Sequence, residues 1–90
     1  MPVERRFQCP CCDYFVLEQR GAHEVCPVCC WEDDGQDVDA LDVTSSVNHI
    51  TLREARANFA SFGASDQATL SLAATRDQLA GLRREYRARC

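Results

Sequence analysis

The sequence predicts a small α+β protein in which an N-terminal β-hairpin precedes two C-terminal helices. Two Cys-Pro-x-Cys turns stand close together, at Cys9–Cys12 and Cys26–Cys29. The run 14–17 between them is rich in aromatic and β-preferring residues, which favours a strand. An apolar stripe with helical spacing begins after Thr51 and favours a helix. We therefore predict a cysteine-rich module in the first half of the chain and a helical segment in the second.

Cysteine usage predicts a metal site. Six of the seven cysteines lie between residues 9 and 30. No apolar segment follows the charged N-terminal residues, and no run approaches the roughly 18 apolar residues of a membrane span. We therefore expect a cytoplasmic protein, where thiols stay reduced and paired Cys-x-x-Cys turns indicate metal rather than disulfides. Because tetrahedral zinc takes four sulfur or nitrogen ligands, the two turns predict a Zn²⁺ site in a zinc-ribbon hairpin.

The two turns are metal-binding knuckles, and taking both in one frame selects four ligands: Cys9, Cys12, Cys26 and Cys29. Cys11 could replace Cys12 and Cys30 could replace Cys29, so Cys11 and Cys30 are alternative ligands or thiols packed beside the site. His23 is expected to be an exposed strand residue. Iron is less favoured than zinc, because the hairpin between the knuckles is short for a rubredoxin-type domain.

The strands and turns are assigned in chain order. Val3–Phe7 is expected to lead into the first knuckle as a short strand. The residue after each knuckle often needs a positive φ, which Asp13 tolerates better than most residues do. Residues 14–17 form a strand, Gly21 supplies a turn, and residues 22–25 return as a second strand that pairs with the first.

Two helices are expected in the second half. Thr51-Leu52-Arg53-Glu54 fits a capping box, and Gly63 provides a helix end. A second helix is expected from Asp66 to Arg87, with Ser71 as a point of interruption and with one apolar face formed by Leu72, Leu79, Leu82 and Tyr86. We place the module boundary at residue 50, so that residues 1–50 form the zinc ribbon with its acidic loop. Residues 51–90 form a helical segment packed on it, and the whole is one domain.

Charge is distributed unevenly along the chain. Residues 31–50 carry six acidic residues and no basic one, whereas residues 51–90 carry seven arginines and four acidic residues. This acidic loop is either a solvated connector or a surface for a basic protein. Its residues proposed to contact a partner are Glu32, Asp33, Asp34, Asp37 and Asp39. An EF-hand is excluded, because Leu41 stands where the pattern needs glutamate.

Four separated motifs resemble the CPCC family of small bacterial cysteine-rich proteins. They are CPCC at Cys9–Cys12, CPVC at Cys26–Cys29, WEDDGQD at Trp31–Asp37 and ARANFASFGAS at Ala55–Ser65. The resemblance covers residues 7–66 and implies metal binding. Cys30 departs from the family, which usually has an aromatic residue or glycine at that position.

These observations favour a zinc-stabilised protein-binding module without catalytic activity. A metal closed by four thiolates offers no open position for water, and the sequence shows no nucleophile–base pair or phosphate loop. One version is an immunity or inhibitor protein that masks a basic toxin or effector. The alternatives are a nucleic-acid-binding zinc ribbon, which the negative charge disfavours, and a structural subunit of a larger assembly.

Overall fold

The computed structural model describes residues 6–86 of the 90-residue chain. Two short antiparallel strands, β1 (Phe7–Gln8) and β2 (Phe15–Leu17), form a hairpin at the N-terminus. They are followed by a 3₁₀ helix (Val38–Ala40), helix α1 (Leu52–Phe62), a second 3₁₀ helix (Gln67–Leu72) and helix α2 (Arg76–Leu79). The predicted α+β class, with a hairpin before helices, is confirmed, while the predicted module boundary at residue 50 stays a prediction.

The strand pairing differs from the one expected. β2 pairs with β1, with Phe7 opposite Leu17 and Gln8 opposite Phe15, and the register shifts between the two pairs. The predicted pairing of 14–17 with a strand at 22–25 is wrong. His23 has a φ of 61°, in the left-handed region that interrupts an extended strand. The predicted strand at Val3–Phe7 is present as β1 only from Phe7, and residues 3–5 lie outside the described part.

Helix α1 has the predicted beginning and end. The Glu54 N–H donates to the Thr51 hydroxyl at 3.1 Å, and the Thr51 N–H donates to the Glu54 carboxylate at 3.2 Å, so the capping box is closed. Gly63 ends the helix with a φ of 91°, and its N–H donates to the Phe59 carbonyl. Leu52 and Ala55 are fully buried, which fixes the face that α1 turns toward the core.

The helix predicted from Asp66 to Arg87 is wrong, although the chain does leave the helical conformation close to the expected interruption at Ser71. Asp66 does cap a helix, but it is the short 3₁₀ helix that ends at Leu72. A new capping box at Thr75 begins the four-residue helix α2, and Gly81 follows with a φ of 85°. The caps at Asp66 and Thr75 and the positive φ of Gly81 divide the region into short helices. Each of them is too short to be stable without packing against the rest of the fold. The predicted end of the helix, at Arg87, lies outside the described residues.

After α2 the chain runs back along the hairpin. The Phe15 N–H donates to the Arg83 carbonyl at 3.0 Å, and the Gln8 side chain donates to the Glu85 carbonyl at 2.7 Å. Trp31 and Leu17 are fully buried and form the core with the α1 residues and the cysteines of both knuckles. Within residues 6–86, no helix has the length and apolar character that crossing a membrane requires.

Candidate metal centre

The two knuckles have the same backbone structure. In knuckle 1 the Cys9 N–H donates to the Tyr14 carbonyl at 2.9 Å, and the Asp13 N–H donates back to the Cys9 carbonyl at 2.9 Å. In knuckle 2 the Cys26 N–H donates to the Trp31 carbonyl and the Cys30 N–H to the Cys26 carbonyl, also at 2.9 Å each. Each knuckle is therefore the tip of its own short hairpin, and the paired turns face each other.

A positive φ completes both turns. Asp13 has a φ of 69° and Cys30 one of 70°, so each chain leaves its knuckle in the left-handed conformation. The expectation for the residue after a knuckle is confirmed at Asp13. Residues 23–25 and 31–33 flank knuckle 2, with Val25 opposite Glu32 and the His23 N–H donating to the Asp33 carbonyl. This pairing explains why residues 22–25 do not join β2.

The knuckles bring four sulfur atoms together. The Sγ atoms of Cys9, Cys12, Cys26 and Cys29 all lie within 4.8 Å of one another, and all four residues are buried. The Cys9–Cys29 and Cys12–Cys26 sulfur pairs are each 3.7 Å apart. Zinc–sulfur bonds of about 2.3 Å in a tetrahedron place the sulfurs about 3.8 Å apart. The cluster thus has the size of a tetrahedral four-thiolate metal site.

The environment of the sulfurs indicates how a cation would be held. Burial raises the pKa of Cys12 and of Cys29, while hydrogen bonding with Cys12 lowers the pKa of Cys26. One thiolate is thus stabilised by its neighbours, but four negative sulfurs in a buried space repel one another. A divalent cation removes that repulsion, because ligating thiols are deprotonated. The donor set therefore fits a soft divalent metal such as zinc.

The other candidate ligands lie outside this cluster. Cys11 is buried beside it, and its pKa is raised, since burial and the neighbouring thiols outweigh a hydrogen bond with Cys29. Cys30 is half-buried, and its thiol lies 3.8 Å from the Thr69 carbonyl oxygen. His23 is exposed, and its ring nitrogen lies 3.2 Å from the Glu32 carboxylate. The structure therefore brings together the four cysteines that were predicted as ligands, and it leaves Cys11, Cys30 and His23 outside their cluster.

Two arginines hold knuckle 1. Arg56 on α1 makes a bidentate ion pair with Asp13, at 2.8 and 2.9 Å, and also donates to the Pro10 carbonyl at 2.6 Å. Arg84 donates from Nε to the Cys12 carbonyl at 2.9 Å. Both arginines therefore fix the backbone of the turn that carries Cys9 and Cys12. Sequence reasoning missed this arrangement, although Arg56 lies within the ARANFASFGAS motif.

Backbone amides hold knuckle 2 instead. The Ser65 N–H donates to the Cys29 carbonyl at 2.8 Å, and the Ala74 N–H donates to the Val28 carbonyl at 2.9 Å. The Val28 N–H points at the Cys26 sulfur at 3.4 Å, as expected for a hydrogen bond that stabilises a thiolate. The segment after α1 therefore has a structural role, in closing the second knuckle.

The acidic loop is ordered by internal contacts. Arg20 donates to Asp33 at 2.9 Å and to Asp37 at 2.8 Å. Burial by itself lowers the pKa of Arg20, but the two carboxylates outweigh that effect, so the pKa is raised. Asp33 also accepts the Gly21 N–H at 2.7 Å, and Asp34 accepts the Ser45 hydroxyl at 2.8 Å. The WEDDGQD motif therefore joins the loop to the segment between the knuckles.

These contacts revise the predicted partner-binding set. Asp33 is fully buried, so its placement on a contact surface is wrong: its carboxylate is needed inside the fold. Asp34 and Asp37 are half-buried and hydrogen-bonded within the loop. Glu32 retains 35% side-chain exposure, and Asp39 is exposed. Of the five predicted residues, only Glu32 and Asp39 present carboxylates that are not needed to hold the loop together.

The fold and the four-cysteine cluster define a small metal-binding module. The chain belongs to the Cysteine-rich CPCC family, whose family model matches residues 7–79. The match extends past residue 66, where the sequence resemblance ended, and thus includes the second 3₁₀ helix and α2. No curated protein and no solved structure matches this chain.

Proposed function

We propose that the protein is a zinc-stabilised protein-binding module, in which Zn²⁺ bound to Cys9, Cys12, Cys26 and Cys29 has a structural role. The observation that supports this most strongly is the spacing of the sulfurs, 3.7 Å in two pairs, inside a fully buried cluster. Zinc suits four thiolates in a tetrahedron and has no redox chemistry of its own. The metal then supplies folding energy to a chain with a small core.

We expect no catalysis at this centre. Four protein ligands leave no position for a water or a substrate, and the cysteines carry no exposed surface through which one could enter. The function must then reside on the surface that the metal holds in place. This reasoning directs attention to exposed charged and apolar groups rather than to the thiols.

The acidic face is the surface best suited to a basic protein. Glu32 and Asp39 present carboxylates, and Asp42, three positions after Asp39 in the sequence, is 75% exposed while paired with Arg53. The internal contacts of Asp33 and Asp34 fix the backbone that carries these groups. A fixed array of like charges attracts an oppositely charged partner and speeds its association. In one version, a cytoplasmic immunity or inhibitor protein covers a basic toxin or effector in this way.

The test is capture of a partner by the zinc-loaded protein, followed by rebinding of the identified, purified partner. Glu32→Gln combined with Asp39→Asn should weaken binding, and more so at low salt, because screening already weakens charge attraction at high salt. The matched control is Asp77→Asn, an exposed carboxylate on α2. Equal affinity of the double variant and the control would contradict the acidic-face proposal, and so would a partner without a basic surface.

Nucleic-acid binding is less well supported. Among residues 6–86, the arginines whose side chains are described contact groups within the protein; they are Arg6, Arg20, Arg53, Arg56, Arg83 and Arg84. Phosphate contacts would have to compete with these interactions. Salt-dependent binding of single-stranded DNA or RNA that Arg83→Gln weakens would revive this alternative.

The structural-subunit alternative depends on exposed apolar side chains. Leu72 is 75% exposed and Leu82 is 41% exposed, although both were expected on one helix face. Analytical ultracentrifugation of the zinc-loaded chain distinguishes this alternative. Self-association that Leu72→Gln abolishes would favour it over a monomeric binding module.

A further inference from the structure

A cavity of about 230 Å³ lies between α1 and the C-terminal segment, on the side of knuckle 1. Arg53 and Arg56 from α1 line it together with Arg84 and Tyr86 from the C-terminal segment. Phe59, Leu41 and two α1 alanines complete its apolar wall. None of the four clustered cysteines lines it, and neither does Glu32 or Asp39, so the cavity does not depend on the function proposed for those residues.

The three arginines are not equivalent. Arg56 makes its bidentate pair with Asp13, which also lines the cavity, and Arg53 makes a bidentate pair with Asp42 at 2.7 and 3.1 Å. Arg84 uses only Nε, on the Cys12 carbonyl. Among residues 6–86 its Nη1 and Nη2 have no hydrogen-bond acceptor. Arg84 is thus the cation of this cavity that no carboxylate offsets.

The Arg84 guanidinium is also held in position. Its central carbon lies 5.4 Å from the ring centre of Tyr14 and 5.6 Å from those of Phe59 and Tyr86. The aromatic faces attract the cation and restrict its motion. The hydrogen bond from Nε to the Cys12 carbonyl further restricts the orientation of the guanidinium. A donor pair fixed before binding loses little conformational freedom when a ligand arrives.

We propose that this cavity binds a carboxylate that carries a small apolar body, with Arg84 as its principal donor. The two Nη groups of a guanidinium match the two oxygens of a carboxylate. One cation without a carboxylate partner favours a singly charged ligand over a doubly charged one. The volume equals about eight water molecules at roughly 30 Å³ each, room for a carboxylate and one ring.

Benzoate and benzamide are the probes, because they share shape and differ in charge. The zinc-loaded, ¹⁵N-labelled protein is titrated with each at constant ionic strength. Benzoate should shift amide resonances of residues 57–60 and 84–86 with a Kd of about 1 mM, the affinity expected for so small a ligand. Benzamide should bind at least about tenfold more weakly, because it lacks the charge-assisted hydrogen bonds. N-acetylphenylalanine, titrated in parallel, shows whether a chain-terminal carboxylate fits as well as a free small acid.

Three variants locate the site. Arg84→Gln should weaken benzoate binding about tenfold, while Arg83→Gln should not, since Arg83 lies over the Phe15 ring at 4.1 Å and lines a different cavity. Ala57→Leu keeps a good helix former at an exposed position but narrows the cavity, so it should also weaken binding. Zinc content and circular dichroism establish that each variant is folded, and Ala57→Leu decides the question should Arg84→Gln misfold.

Three results would overturn the proposal. The first is equal binding of benzoate and benzamide. The second is no resonance shift at tens of millimolar with either benzoate or N-acetylphenylalanine. The third is a folded Ala57→Leu variant that binds the carboxylate probe as well as the unmodified protein does. Binding of N-acetylphenylalanine but not benzoate would confirm the carboxylate chemistry and identify the source as a peptide C-terminus.

Discussion

Removing the charge of Asp13 should destabilise the protein far more than removing the charge of Asp42. Both aspartates form bidentate pairs with arginines of α1, Asp13 with Arg56 and Asp42 with Arg53. The Asp13 side chain is 1% exposed, whereas that of Asp42 is 75% exposed. Both pairs are therefore bidentate and they differ in burial, which makes each the control for the other.

The expected magnitude follows from that difference. Asp13→Asn leaves the Arg56 guanidinium, itself 13% exposed, without its counter-charge, and breaking a buried pair in this way costs about 3 kcal/mol or more. Asparagine tolerates the φ of 69° at this position, so the substitution isolates the loss of charge. Asp13→Ala should cost about 1 kcal/mol more, because alanine is strained in the left-handed region. Asp42→Asn should leave stability unchanged within error, since solvent already screens that pair.

The assay is urea unfolding followed through the fluorescence of the single, buried Trp31. Free zinc must be buffered at one concentration, because metal release contributes to the measured free energy of unfolding. Equal unfolding free energies for Asp13→Asn and Asp42→Asn would refute the conclusion that the Asp13–Arg56 pair joins knuckle 1 to α1.

Three further predictions concern the cap, the loop and the exposed ion pair. Thr51→Ala should lower the free energy of unfolding by about 1 kcal/mol in the same urea assay, because it removes the capping-box acceptor; an unchanged value would show that the cap is dispensable. Asp33→Asn should lower the midpoint of thermal unfolding or broaden the transition, whereas Asp39→Asn should not, because of these two residues only Asp33 is buried and bound to Arg20. A larger effect of Asp39→Asn than of Asp33→Asn would contradict the structural role of the buried carboxylate. The hydrogen bond from Arg53 lowers the pKa of Asp42 from its ordinary 3.8. The stabilisation by this pair, too small to exceed the error of the urea assay, is therefore present above about pH 4 and is lost as the pH falls through the lowered pKa. An NMR titration should show that pKa returning toward its ordinary value in Arg53→Gln, and no change would contradict the pairing.

Local signals allowed much of this structure to be predicted from sequence. The knuckle spacing selected the four clustered cysteines, and the capping box and Gly63 marked both ends of α1. The family motifs matched a domain that the family model extends to residue 79. In each case the information lies within a few residues of the feature it determines.

Features that depend on distant residues were not predictable in the same way. Residues 14–17 were expected to pair with residues 22–25, because sequence proximity did not reveal that knuckle 2 takes residues 23–25 for its own hairpin. The arginine contacts of knuckle 1 span 43 and 72 positions along the chain. The acidic residues looked alike in sequence, yet Asp33 is buried because one particular arginine, Arg20, reaches it.

The C-terminal region shows a second limit. Apolar spacing at Leu72, Leu79 and Leu82 favoured one long helix, but caps at Asp66 and Thr75 divide it into short turns. The backbone groups of residues 83–85 then form hydrogen bonds with the hairpin rather than within a helix. Periodicity therefore overstated helix length where capping signals recur every few residues.

The metal content of the purified, reduced protein tests the central claim most directly. Elemental analysis should find about one zinc per chain, which a chelator removes with loss of structure in the N-terminal half. Cys12→Ser should abolish stable zinc binding, while Cys30→Ser, outside the cluster, should retain it. A folded protein with reduced thiols and no metal, or a Cys12→Ser variant that still holds one zinc as tightly, would contradict the four-thiolate centre on which the fold is built.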